Sequence, residues 1–129
     1  MFKSASTYAA EDVIEVAVGN EKQRVRIKGQ VFGAIPMAYD WVCYVRLLHP
    51  VPTTWSDELI VDSGEVRIES VCEEFGPGHQ LGDMRDTFSF DAIAGHEYQV
   101  KQKIFKRCIE LYDRTAREFV PSSRCDVDD

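Results

Sequence analysis

The densest grouping of chemically capable side chains in this sequence is EEFGPGHQLGD, residues 73–83. Glu73, Glu74, His79 and Asp83 each offer a lone pair there, and carboxylate oxygens beside an imidazole nitrogen suit a divalent cation. These four are the candidate metal ligands. The competing expectation is an acidic, solvated loop whose three glycines and one proline simply shape turns. On that expectation there is no metal and no cofactor. Of the other histidines, His96 follows Gly95 and reads as a ring bonded to neighbouring backbone or covering Tyr98, while His49 precedes Pro50 and marks the end of a strand.

Nucleophilic catalysis requires a serine or cysteine beside a base. The chain has no Gly-x-Ser-x-Gly elbow, and none of its four cysteines has an adjacent histidine. GPGHQLG lacks the Lys-Ser/Thr that completes a phosphate loop. No catalytic residues are assigned, and the expectation leans away from an enzyme. Cys43, Cys72, Cys108 and Cys125 are too widely spaced for a zinc-finger pair. Cys43 and Cys72 fall on the apolar phase of their strands, as buried thiols or an inter-sheet bridge. Cys108 falls on a polar phase, from which it could tie down Cys125.

Charge narrows the range of partners. The net charge is −7, which argues against tracking nucleic-acid phosphates. Asp57 to Asp86 holds nine carboxylates against two arginines, whereas Lys101 to Arg117 carries a net +4. Lys101, Lys103, Arg107 and Arg114 are therefore the candidate interaction residues. Glu65, Glu69 and Glu73 are their expected counterparts, within the molecule, in a homodimer or with another protein. No apolar run reaches the 18 residues a membrane helix needs, and residues 1–16 do not read as a signal peptide. As given, the sequence suits the cytoplasm, or the envelope or periplasm if a leader has been removed.

The elements that must position these groups read mostly as strands. With 44% hydrophobic and 29% charged residues the chain is ordinary globular material. A single domain, residues 1–129, is expected, with a frayed start (1–10) and an acidic tail (121–129). In QRVRIKGQVF, Val25, Ile27 and Val31 alternate with charged residues, and Gly29 suggests a bulge or a close backbone approach. WVCYVRLLH is apolar on both phases and reads as a central strand. ELIVDSGEVRIESVC reads as strand, tight turn at Asp62-Ser63-Gly64, and strand. Residues 73–84 read as a long loop, and DTFSFDAIAG as another strand. The expected core comprises Val25, Ile27, Val31, Trp41, Cys43, Val45, Ile68, Phe88, Phe90, Tyr98 and Val100.

Residues 102–119 fit two patterns. A helix would gather Ile104, Phe105, Cys108, Ile109, Tyr112 and Phe119 on one face, and the composition favours helix. Two strands joined at Asp113-Arg114-Thr115 fit as well, and HEYQVKQ enters the segment with no helix cap. The positions Phe88, Phe90, Ala94, Gly95, His96, Tyr98, Ile109, Asp113, Thr115 and Val120 resemble the closing part of small β-sandwich modules in bacterial envelope proteins, many of them lipoproteins of unknown function. The resemblance covers about residues 59–120. It departs from those modules in placing Thr115-Ala116 where Thr-Gly is usual, and in having its first cysteine only at Cys43. It implies strands at the C-terminus and a binding role. The fold expected is thus all-β, an antiparallel sandwich of about 7–9 short strands, with a sheet carrying a C-terminal helix as the alternative. The function expected is a non-enzymatic binding or protein-interaction module of bacterial type. The alternative is a small metal- or ligand-binding protein or enzyme using the His79/Asp83 loop.

Overall fold

A computed structural model describes residues 13–15, 24–29, 31–32, 40–76, 79–103 and 108–121. Ten strands among them run in the order β1 (Ile14–Glu15), β2 (Arg24–Lys28), β3 (Val31–Phe32), β4 (Asp40–His49), β5 (Glu58–Asp62), β6 (Gly64–Gly76), β7 (His79–Ala92), β8 (Glu97–Lys103), β9 (Cys108–Asp113) and β10 (Glu118–Val120). One sheet has six strands ordered β1-β5-β2-β8-β9-β10, and the other has four ordered β3-β4-β6-β7. The fold is all-β. The count exceeds the expected range because β1 and β3 are two-residue strands. Pairing is mostly antiparallel, with β1–β5 and β2–β8 parallel. No helix among the described residues is long and apolar enough to cross a membrane.

Period-two burial builds the core. Val25 and Ile27 of β2, Leu59 and Val61 of β5, and Tyr98 and Val100 of β8 point inward from the large sheet. Cys43, Val45 and Leu47 of β4, Val66 and Ile68 of β6, and Phe88 of β7 meet them from the small sheet. Phe90 is only half-buried and packs at the margin. The side chains of Val31 and Trp41 lie outside the described residues, as do residues 1–10 and, after Pro121, the acidic tail.

The helical alternative falls, and three local expectations give way to non-local pairing. Residues 108–113 and 118–120 are strands, which removes the C-terminal helix. Ile109 and Leu111 gain full burial beside Tyr98 and Val100, and that outweighs helix propensity. Residues 73–84 are not a long loop. β6 and β7 stay paired out to Gly76 and His79, with a register shift between Glu74 and Phe75. The turn at 62–64 does not close a hairpin either. β5 pairs with β1 and β2 in one sheet, while β6 pairs with β4 and β7 in the other, so this turn is a crossover. Gly64 makes it with φ +125°, where a side chain would be strained. Finally, Cys43 and Cys72 face each other across β4 and β6 and are joined by a disulfide, with Cα atoms 4.0 Å apart. The bridge lies within one sheet, not between the two.

Gly29 fits its expected role. A Cβ there would come within 2.1 Å of the Cys43 carbonyl oxygen. The chain can therefore pass over β4 only as glycine, and the Gly29 N–H donates to the Asp57 carbonyl at 2.8 Å.

Candidate functional site

The described residues bring polar groups together most closely at the corner between β7 and β8. The chain leaves β7 at Ala92, and the His96 N–H donates to the Ile93 carbonyl at 3.0 Å. Gly95 takes φ +82°, a conformation that favours glycine. One residue past His96, the corner becomes strand β8, and Tyr98 turns inward to 1% exposure. Its hydroxyl accepts the Ile93 N–H at 3.0 Å, and its ring lies 4.9 Å from that of Phe90. Burial raises the Tyr98 pKa. The Ile93 N–H works against that rise, and the nearby Asp113 carboxylate adds to it.

Asp113 ends β9 directly opposite Tyr98 and is 3% exposed. One carboxylate oxygen takes the N–H groups of Thr115 and Ala116 at 3.0 Å each, and the other meets His96 Nδ1 at 2.8 Å. Burial alone would raise the Asp113 pKa. The Ala116 N–H, the His96 side chain and the Thr115 N–H outweigh it and hold the carboxyl below its ordinary range. Arg114 N–H donates to the Glu97 carbonyl at 2.8 Å, and Glu97 N–H donates to Thr115 Oγ1 at 3.0 Å. On the other side Gly95 N–H reaches the Arg24 carbonyl at 2.9 Å, and Arg26 N–H reaches that of His96 at 3.2 Å. A His–Asp pair is the orienting half of a general base. Here the bonds around it run mainly to backbone groups, and the Thr115 hydroxyl is spent on the Glu97 N–H. The observed arrangement fastens a corner. Of the residues in the sequence pattern, Phe90, Gly95, His96, Tyr98, Asp113 and Thr115 meet at this corner.

Outside this corner the large sheet carries a charge-laced face. Arg24 pairs with Glu15 at 2.6 Å, Arg26 with Glu58, and Glu97 with both Lys28 at 3.2 Å and Arg114 at 3.0 Å. An open pocket of about 300 Å³ lies beside it, lined by Arg24, Val25, Arg26, Ile60, Gly95, His96 and Glu97. Sequence reasoning missed Arg24 and Arg26. They occupy the polar phase of β2 like any solvated residue, and only the parallel β2–β8 pairing carries them to His96.

The metal candidates are arranged by the ladder. Glu73 and Asp83 are cross-strand neighbours, while Glu74 sits opposite Gly82 on the alternate phase and so faces the other way. Glu73 is fully buried and engaged, and the side chain of His79 lies outside the described residues. Among the described residues no group of three or more His, Cys, Asp or Glu side chains is placed to hold a metal.

The basic candidates also separate. Lys101 lies 4.3 Å over the Tyr112 ring, opposite Glu110 in register, and Arg114 bonds Glu97. The Lys103 side chain and all of Arg107 lie outside the described residues. Their expected counterparts Glu65, Glu69 and Glu73 belong to the other sheet. Glu69 is instead shared by Arg46 at 2.6 Å and Arg85 at 3.2 Å, and both guanidinium groups lie over Trp55. Cys108 is disulfide-bonded, and Cys125 lies outside the described residues.

A second surface feature lies on the solvent side of β8, β9 and β10. Phe119 is 52% exposed and meets Tyr112 edge-on at 4.8 Å, while Lys101 covers the Tyr112 ring. Compared with protein-family models, with curated proteins and with solved structures, the chain shows no match.

Proposed function

We propose that this chain is a non-enzymatic protein-interaction module of the bacterial-envelope kind, docking an acidic protein segment on the outer face of β8–β10. The observation that carries the reading is the Lys101–Tyr112–Phe119 group. Two aromatic rings lie outside the sandwich instead of in its core, beside a cation and a turn holding Arg114 and Arg117. Aromatic and cationic side chains are the types enriched where proteins meet. Lys101 on this face, with Arg114 and Arg117 in the adjoining turn, favours an acidic occupant. Support for an envelope setting comes from the cross-strand disulfide, which suits an oxidising compartment, and from the resemblance of residues 59–120 to envelope modules.

The test is a residue-resolved NMR titration at low salt with a Glu- and Phe-containing peptide, alongside its Lys-for-Glu counterpart. The expected result is saturable shifts at Lys101, Tyr112 and Phe119 with the acidic peptide alone, weakening as salt is added. Equal responses to both peptides, or shifts confined to another face, would overturn the reading.

A further inference from the structure

The pocket between the start of β2 and the β7–β8 corner stands apart from the aromatic face, and we propose that it binds an oxyanion, carboxylate or phosphate, carried by a small ligand. Its size, about 300 Å³, is at the lower end for small-molecule sites. The donors come from β2. Arg24 and Arg26 stand two residues apart on β2, so their side chains leave the same face of the sheet. A guanidinium has five N–H donors. Arg24 commits Nη2 to Glu15, and its buried Nε–H has no acceptor among the described residues. Arg26 commits Nη1 to Glu58 and is otherwise half-exposed. His96, held at Nδ1 by Asp113, lines the corner side of the pocket.

The acceptors nearby are mostly spoken for. Glu97, the one carboxylate among the described residues that line the pocket, is already bonded by Lys28 and Arg114, neither of which lines it. Asp62, opposite Arg24 in the ladder, has one buried oxygen with no donor among the described residues. A ligand group or a water that both gives and takes a hydrogen bond between Asp62 and Arg24 would satisfy both orphaned atoms. Ile60 adds an apolar wall suited to a short carbon skeleton. The arrangement is a forked donor set with one apolar side, which matches the planar or tetrahedral oxygens of an oxyanion. Because Glu15 and Glu58 each hold one corner of a guanidinium, the expected affinity is modest, with Kd on the order of 1 mM.

The experiment uses the intact, oxidised chain. Acetate and inorganic phosphate are titrated separately at constant ionic strength with chloride as the reference anion, following amide and arginine Nε–H signals by NMR. Saturating shifts at Gly95, His96 and Glu97 are expected with at least one of the two, and the stronger binder identifies the oxyanion. Arg26→Gln should weaken binding about tenfold or more, Arg24→Gln should do the same, and Arg85→Gln, on β7 of the other sheet, should leave it unchanged. Circular dichroism confirms that each variant is folded. Linear shifts indistinguishable from chloride would overturn the proposal. So would saturation that survives both arginine substitutions.

Discussion

Replacing Asp113 by asparagine isolates the corner's principal fastening. The carboxylate accepts from Thr115 N–H and Ala116 N–H through Oδ1, and meets His96 Nδ1 through Oδ2. An asparagine side chain keeps one oxygen for the two backbone donors but turns an NH2 group toward Nδ1. The loss is thus one charge-assisted hydrogen bond at a site that is 3% exposed, worth about 1.5–3 kcal/mol. Asp113→Ala also strands the two backbone N–H groups, bringing the cost to about 4 kcal/mol. Urea unfolding at pH 7 measures both, read as a change in midpoint at constant slope. The pH dependence follows from the lowered Asp113 pKa. The stabilising contribution of the folded carboxylate is fully present above the ordinary aspartate value of about 3.9. It is lost as pH falls through the lower folded value, where the protonated side chain behaves like asparagine. The gap between wild type and Asp113→Asn should therefore narrow below about pH 4. An asparagine variant as stable as wild type at pH 7, or a gap that widens in acid, would refute this reasoning.

Three further outcomes are expected. Gly29→Ala drives a methyl against the Cys43 carbonyl, 2.1 Å away, and should cost about 3 kcal/mol or more in denaturant unfolding. Replacing Cys43 and Cys72 together by alanine releases a loop spanning 29 residues, which should lower stability by about 3.5 kcal/mol on chain-entropy grounds; an unchanged unfolding midpoint would contradict it. Arg117 sits at φ 62° in the β9–β10 turn, so Arg117→Gly should raise stability by about 1 kcal/mol, visible as an upward shift in Tm.

Much of the fold is legible in the sequence because burial on one sheet face imposes a period of two. Val25 and Ile27, Cys43 and Val45, and Ile68 and Phe88 follow it inward, and Gly29 is where the backbone has to pass closely. What stays hidden depends on partners distant in the chain. Asp62-Ser63-Gly64 has the chemistry of a hairpin turn, and nothing local tells a hairpin from a crossover between sheets. Residues 73–84 carry the glycines of a loop, but cross-strand bonding holds both sides of Gly82 in a ladder. Charge counting is blind in the same way. It sets Glu69 against the cations after Lys101, whereas the sheet order hands it to Arg46 and Arg85. The corner itself was visible as a pattern of residue types, although the pairing of His96 with Asp113 required the β8–β9 register.

Whether the exposed aromatic pair serves docking or merely packing is decided by measuring Phe119→Ser twice, once for stability and once for affinity to the acidic peptide. Phe119 is 52% exposed, and among the described residues its one ring contact is to Tyr112. Its loss should cost no more than about 1 kcal/mol of stability. If the face is a docking site, affinity should fall about tenfold or more, as for an aromatic anchor. A variant that loses several kcal/mol of stability while binding the peptide as tightly as wild type would contradict the account.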